Sequence, residues 1–220
     1  MKKQYLGDSK DSFKWDYHDF LAEELNYPVL NIMLMITPND ESNDGKTHPT
    51  LFPARKEILD FCDDLRNERK VVLINSLPGR TNSNYTVNLH NNDSQITNRK
   101  TYISGLSHKE EQLLFLDPDN GFEPEKSSEK HVLYSDISCI LEQISERSVV
   151  SVFQHFRHEA FTKTFARIKE RLKNSHATAI YWDQLLMFVA IGKSEDAIKR
   201  VSEANKKYSN SKGNRVKVIA

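Results

Sequence analysis

Short apolar runs alternate along this chain with segments in which apolar residues recur every three or four positions. The runs cover residues 29–36, 71–75, 113–116 and 148–155, and each has the length and composition of a strand covered on both faces. The periodic segments predict helices at residues 11–25, 54–69, 135–145 and 159–173. Strand and helix in alternation predict a parallel sheet with helices on both faces.

The pattern changes toward the C-terminus. Residues 179–182 and 185–190 flank Asp183-Gln184 and predict an antiparallel hairpin, followed by a last helix at 194–208 and a tail with room for one more strand. Residues 76–109 include six asparagines and have no clear period, so we expect a long irregular excursion there. The predicted fold is a single α/β domain, 1–220, with a Rossmann-like, mostly parallel sheet and a C-terminal antiparallel hairpin.

Composition narrows the function classes. The 31 basic residues equal the 31 acidic ones, so overall charge does not draw the chain to nucleic acid or anionic lipid. No apolar stretch reaches membrane-span length and the N-terminus has no signal-peptide core, so we expect a soluble, cytoplasmic protein with no membrane partner; the oligomeric state stays open. Cys62 and Cys139 are expected to be buried thiols, and His18 a solvated side chain.

Polar residues collect where the predicted strands end. Ligands of open parallel sheets bind outside the carboxyl ends of the strands, and acids, amides or a histidine follow three of them. The most informative segment is Phe115-Leu116-Asp117-Pro118-Asp119-Asn120-Gly121. The candidate catalytic residues are Asp117, Asp119, His155 and Lys14, and the candidate cofactor-binding residues are Gly7, Asp8, Thr37, Asp40, Asp44, Gly45 and Asn120.

These polar residues at the strand ends allow several interpretations. Asp and Asn followed by Gly also serve as ordinary turn residues. Oxygen ligands from Asp8, Asp40, Asp117 and Asp119 would suit Mg²⁺ in a nuclease or phosphoesterase, with His155 or Lys14 assisting transfer. A third interpretation is a non-catalytic nucleotide- or protein-binding module. The run of basic residues from Arg157 to Lys173 is usual for the solvated face of a helix and, if functional, would hold a phosphate backbone.

Three enzyme classes are disfavoured because their motifs are missing. The sequence has no Gly-x-Ser-x-Gly turn, no Gly-x-x-x-x-Gly-Lys-Ser/Thr loop and no Gly-x-Gly-x-x-Gly after the first strand. Hydrolases with a serine nucleophile elbow, P-loop nucleotidases and dinucleotide-dependent oxidoreductases are therefore not expected.

Ordered blocks in the sequence resemble a bacterial family of mostly uncharacterised proteins. They are Tyr5-Leu6-Gly7-Asp8, Thr37-Pro38-Asn39-Asp40, Asp44-Gly45-Lys46, the 115–121 segment and Gln154-His155. More remotely, Gly7-Asp8, Asp11 and Lys14 together with Asp117-Pro118 are similar to ribosomal RNA adenine-N6 methyltransferases and three-Cys-motif partner proteins.

That remote resemblance implies a methyltransferase-like Rossmann fold with a terminal hairpin. It implies a nucleic-acid substrate whose amine is oriented by Asp117 and a backbone carbonyl, with residues 37–45 as an unusual loop for S-adenosylmethionine. Two departures stand out: Asp119-Asn120 replaces the proline and aromatic residue of the family motif, and Thr37-Pro38-Asn39-Asp40-Glu41 replaces the glycine-rich cofactor loop.

Overall fold

The structure, a computed structural model, describes residues 1–39, 45–90 and 110–219. Its described strands are β1 Val29–Met33, β2 Thr86–Leu89, β3 Gln112–Leu116, β4 Gly121–Phe122, β5 His131–Val132, β6 Val149–His155, β7 His176–Trp182, β8 Leu186–Gly192 and β9 Val216–Ile219. Its described α-helices are α1 Ser9–Glu24, α2 Lys56–Glu68, α3 Leu77–Thr81, α4 Tyr134–Gln143, α5 Phe161–Arg171 and α6 Glu195–Ser211.

Seven strands form one mixed, mostly parallel sheet in the order β2-β1-β3-β6-β8-β7-β9. β2, β1, β3 and β6 are parallel neighbours, and β8 pairs antiparallel with both β6 and β7. The tail pairs with β7 as the antiparallel strand β9. The predicted α/β Rossmann-like fold with a C-terminal hairpin is therefore confirmed. Among the described residues, no helix is long and apolar enough to cross a bilayer.

Alternating strand residues supply two hydrophobic cores, one on each face of the sheet. Leu113 and Phe115 of β3 join the core that includes α1, α2 and α6, whereas Leu114 and Leu116 join the core that includes α4 and α5. This alternation is the two-residue period of a strand buried on both faces. The helices therefore form a layer on each side, as predicted.

The predicted strand at 71–75 is wrong. Residues Val71–Ser76 form a 3-10 helix in which Val71 and Ile74 are buried and Val72 is 56% exposed. A spacing of three matches the turn of a 3-10 helix, and a short apolar run does not by itself distinguish a strand from a helical turn. The parallel partner of β1 on this side is β2, which lies inside the segment predicted to be irregular.

Helix α1 is more deeply buried than an amphipathic surface helix. Twelve of its sixteen residues are buried, including Asp11, Lys14, Asp16, His18 and Asp19. The prediction that His18 is solvated is therefore wrong: Ser151 Oγ lies 2.8 Å from its Nε2, and its Nδ1 lies 2.7 Å from the carbonyl of Lys14. Burial lowers the pKa of His18 to about 3, so its imidazole is neutral.

The two cysteines differ in exposure. Cys62 is buried as predicted, whereas Cys139 is exposed and the prediction for it is wrong. In α4 the buried positions are Asp136, Ile137, Ile140 and Leu141, so the thiol of Cys139 lies on the opposite side of the helix.

Candidate functional site

A cavity of about 130 Å³ lies at the carboxyl ends of β3 and β6, beside the start of α1. The structure brings seven of the predicted site residues together in its lining: Asp8, Lys14, Gly45, Asp117, Asp119, Asn120 and His155. The remaining lining residues are Met1, Lys2, Tyr5, Lys10, Asp11, Pro118, Lys130 and Phe153. We call this space the strand-end cavity.

Lys14 is the central cation of the cavity wall. Its Nζ donates to Asp11 Oδ1 at 2.6 Å and to Asp117 Oδ2 at 2.7 Å, and all three side chains are at most 4% exposed. Burial by itself would lower the pKa of Lys14, but the two carboxylates raise it by more, so the net shift is upward. Lys14 is therefore a permanent ammonium that neutralises acids from two parts of the chain.

Asp117 presents two hydrogen-bond acceptors beside the cavity. Its backbone nitrogen donates to Met33 O at 2.9 Å, which fixes the residue at the end of β3. Its carboxylate accepts from Lys14, and its carbonyl oxygen accepts from the nitrogen of Met1 at 3.2 Å. Burial raises the pKa of the Asp117 carboxyl, and the charge of Lys14 opposes that rise.

Asp8 begins helix α1. Its Oδ1 accepts from the backbone nitrogens of Lys10 and Asp11, each at 2.9 Å, which is the usual arrangement of an N-cap aspartate. Burial and the neighbouring Asp11 raise the pKa of Asp8 to about 6. Asp8, Asp11 and Lys14 follow each other at steps of three, so the helix places them on one side, toward the cavity.

Asp119 joins the loop after β1 to the loop after β3. The hydroxyl of Thr37 donates to Asp119 Oδ2 at 2.9 Å, and Lys2 Nζ lies 3.6 Å from the same oxygen. The backbone nitrogen of Thr37 also donates to Met1 O at 2.8 Å. Thr37 is thus engaged by the chain itself and does not line the cavity.

His155 ends β6 and reaches the cavity together with a lysine from α1. Its Nδ1 lies 3.0 Å from Phe156 O, and its Nε2 lies 3.0 Å from Lys10 Nζ. Because a carbonyl oxygen only accepts and an ammonium only donates, these partners assign the proton to Nδ1 and the lone pair to Nε2. Asn120 also lines the cavity, and its Nδ2 lies 3.5 Å from His131 Nε2.

The two predicted glycines make room for the chain's own packing. Gly7 has φ +75°, and a Cβ there would lie 2.1 Å from the carbonyl oxygen of Cys62. Gly45 also has φ +75°, and a Cβ there would lie 2.2 Å from the ring of Tyr5. Gly7 therefore packs against α2 rather than lining the cavity. The predicted residues Asp40 and Asp44 lie outside the described residues.

The acids of the cavity wall are engaged by the protein's own cations and backbone amides. Within the described ranges, no group of three or more His, Cys, Asp or Glu side chains could hold a metal ion. Lys14 binds Asp11 and Asp117, while Asp8 caps a helix. This part of the chain therefore provides no observation that favours the Mg²⁺-dependent alternative.

Sequence reasoning missed several residues that line the cavity: Lys2, Lys10, Asp11, Lys130 and Phe153. A signal for Asp11 was available, because it lies three residues after Asp8 and three before Lys14. Lys10 and Lys130 are two of many surface-type lysines in the sequence, and nothing in their local pattern marks them.

No family model, no curated protein and no solved structure matches this chain.

Proposed function

We propose that this chain is a nucleic-acid-modifying enzyme of methyltransferase-like fold, which holds a substrate amine in the strand-end cavity. One observation carries the proposal: Asp117, at the end of β3, offers both its carboxylate and its carbonyl oxygen to nitrogen donors, Lys14 and Met1. The remote resemblance implies the same pair of acceptors for a substrate amine. The antiparallel hairpin at the C-terminal end of the sheet also agrees with that resemblance.

In this proposal each residue of the cavity has a separate role. Asp117 accepts hydrogen bonds from the substrate amine and directs the nitrogen lone pair away from itself. Lys14 keeps the Asp117 carboxylate in place and compensates its charge. His155 Nε2 is the proton acceptor after Lys10 Nζ, which donates to its lone pair and also lines the cavity, moves aside. The substrate amine takes the place that the Met1 nitrogen occupies at the Asp117 carbonyl and donates its second hydrogen bond to Asp117 Oδ1, because Lys14 donates to Oδ2.

The proposed methyl donor is S-adenosylmethionine, which would supply an electrophilic methyl group. The described residues do not form a cradle for it: Thr37 is bonded to Asp119, the space beside Gly45 holds Tyr5, and the cavity is smaller than the pockets of about 300–1,000 Å³ that hold ligands of this size. The rest of the predicted cofactor loop, residues 40–44, lies outside the described residues. No step of the mechanism is therefore derived through the cofactor.

A second candidate function is a non-catalytic nucleotide-binding module. It is favoured by the mutual neutralisation of Asp11, Lys14 and Asp117, because such self-satisfied charges stabilise a fold without any substrate. The two candidates differ in whether a methyl group is transferred.

The test is transfer of labelled methyl groups from S-adenosylmethionine to single-stranded DNA, RNA or free nucleosides. We expect transfer by the wild-type protein and a loss of at least about 100-fold in Asp117→Asn, which mispositions the amine. Asp183→Asn is the matched control, because Asp183 is an exposed acid in the β7–β8 turn. Nucleotide binding without transfer by the wild-type protein would leave the second candidate, and transfer unaffected by Asp117→Asn would overturn the role of Asp117.

A further inference from the structure

A second concave surface lies beside the strand-end cavity, on the face of the sheet covered by α4 and α5. It is a groove of about 670 Å³ whose basic side chains are Arg157, Arg167 and Arg171. A neighbouring groove of about 970 Å³ shares Arg167 and Arg171 with it. We call the two together the arginine groove.

Tyr134 lines this groove together with the three arginines. Burial raises the pKa of Tyr134, and the charges of Arg167, Arg171 and Arg157 oppose that rise. The Arg171 guanidinium carbon lies 5.9 Å from the centroid of the Tyr134 ring, and the ring is stacked on Phe122 with centroids 5.6 Å apart. Aromatic rings beside arginines form a surface on which an unpaired nucleobase can stack.

Two of these arginines have no acidic partner in the part of the chain that the structure describes. Arg157 donates to the carbonyl oxygen of Asn120 at 3.0 Å, which uses one of its five N–H groups. The Arg171 guanidinium lies over the Tyr134 ring. Burial and the neighbouring charge of Arg167 lower the pKa of Arg157, so a like charge acts on it from within the groove. An anion placed here would relieve this repulsion.

The groove is also lined by five carboxylates, and Glu123 and Glu159 are engaged by the chain itself; the others are Glu125, Glu142 and Glu170. Glu159 pairs with Arg167 at 2.8 Å and accepts from the hydroxyl of Thr164 at 2.9 Å. Glu123 accepts from the backbone nitrogen of Tyr134 at 2.7 Å, at the start of α4. The partners of Arg157 and Arg171 among the described residues are a carbonyl oxygen and an aromatic ring rather than a carboxylate, so both guanidinium groups remain available for a ligand. Forked guanidinium groups suit phosphate, which they bind through paired hydrogen bonds.

The groove and the cavity share the same two segments of chain. Asn120 lines the cavity and Phe122 lines the groove, while His155 lines the cavity and Arg157 lines the groove. Gln154 links the two segments, because its Oε1 accepts from Phe122 N at 2.9 Å. A nucleic-acid strand whose phosphates lie along α5 would therefore run toward the cavity, with one of its nucleotides positioned to enter it.

We infer that the arginine groove binds the phosphate backbone of a single-stranded nucleic acid, with phosphates at Arg157 and Arg171, and delivers one base to the strand-end cavity. The assignment of a single strand rests on the proposed function, because a base must leave a duplex before its amine can enter an enclosed site. The inference that the groove binds phosphates rests only on the residues of the groove and not on the proposed function.

The experiment measures the affinity of a fluorescently labelled single-stranded oligonucleotide for the wild-type protein and for Arg157→Gln and Arg171→Gln. We expect each variant to bind at least about tenfold more weakly, as for loss of a charged hydrogen bond to phosphate. The slope of log affinity against log salt should become shallower by about 0.7 per arginine removed. The control is Lys199→Gln, which removes one exposed positive charge from α6, on the opposite face of the sheet.

The outcomes separate this inference from the proposed function. Binding that depends on the arginines but is not accompanied by methyl transfer supports nucleic-acid binding by the groove and contradicts only the proposed enzyme activity. The proposal that the groove binds nucleic acid is overturned if the wild-type protein does not bind the oligonucleotide, or if Lys199→Gln weakens binding as much as the arginine variants do. This holds whether or not S-adenosylmethionine binds. Equal affinity for a duplex overturns the single-strand assignment, and equal affinity for oligoglutamate overturns the assignment to nucleic acid.

Discussion

Lys14 and Asp117 are 103 residues apart in the chain, and a hydrogen bond of 2.7 Å joins their side chains in the wall of the strand-end cavity. Lys14 also binds Asp11 within its own helix, so one ammonium compensates two buried carboxylates. The contact fixes the start of α1 against the end of β3. It therefore stabilises the fold and determines the electrostatics of the candidate site.

Replacing Lys14 with methionine should destabilise the protein by about 3–5 kcal/mol, because it leaves buried carboxylates without a counter-ion. The measurement is the free energy of unfolding in urea, with Lys199→Met as the control at an exposed position. Adding Asp117→Asn to Lys14→Met should recover part of the loss, because one unpaired charge is then removed. A loss below about 1 kcal/mol in Lys14→Met would show that the network is not a structural ion pair.

Asp8 should make stability fall as the pH rises from about 4 to about 6. Its pKa is raised from 3.8 to about 6 by burial, so the unfolded chain releases the proton at lower pH than the native protein does. The pKa shift corresponds to about 3 kcal/mol of folding stability. This contribution is present below the pKa of Asp8 in the unfolded chain and is lost as the pH rises through its pKa in the folded protein. Asp8→Asn still caps α1 and cannot ionise.

The measurement for Asp8 is the difference in unfolding free energy between Asp8→Asn and the wild-type protein, followed across that pH range. We expect the variant to gain relative to the wild type as the pH rises, and the difference to level off above about pH 7, past both pKa values. A difference that does not change with pH would contradict the raised pKa of Asp8.

Gly7→Ala and Gly213→Ala separate backbone strain from steric clash. Both glycines have positive φ, +75° and +61°, but a Cβ at position 7 would lie 2.1 Å from Cys62 O and one at position 213 would have no neighbour within 4 Å. Gly213→Ala should cost about 1–2 kcal/mol from its left-handed backbone. Gly7→Ala should cost at least about 2 kcal/mol more, because overpacking is added. Equal losses of unfolding free energy in urea for the two variants would mean that α2 moves away from the added Cβ at no cost in stability.

The cysteines should differ in reactivity. Cys139 is exposed and Cys62 is buried, and burial raises the pKa of the Cys62 thiol well above its usual value. Iodoacetamide, with mass spectrometry, should therefore modify Cys139 in the native protein and Cys62 only after unfolding. Modification of Cys62 at the same rate as Cys139 under native conditions would show that α2 opens readily.

Local pattern predicted most of the sheet but assigned one strand to the wrong segment. The β2 strand Thr86–Leu89 has only one buried residue, Leu89, so it lacks the apolar run that marks β1, β3 and β6. Its place beside β1 is supported by side-chain amides, because Asn88 Nδ2 donates to Asn31 Oδ1 at 2.8 Å. A pairing that depends on two polar residues 57 positions apart leaves no periodic signal in either segment.

The amino-acid sequence alone predicted the alternation of strands and helices, the C-terminal hairpin and the collection of Asp117, Asp119, Asn120 and His155 near strand ends. It did so because hydrophobic periodicity and turn chemistry are local properties. The three-dimensional structure was needed to show that α1 is buried, that Lys14 neutralises Asp11 and Asp117, and that Arg157 links the strand-end turn to a groove. Burial and ion pairing depend on which distant segments meet, and a charged side chain has the same local pattern whether it lies in water or beside a partner.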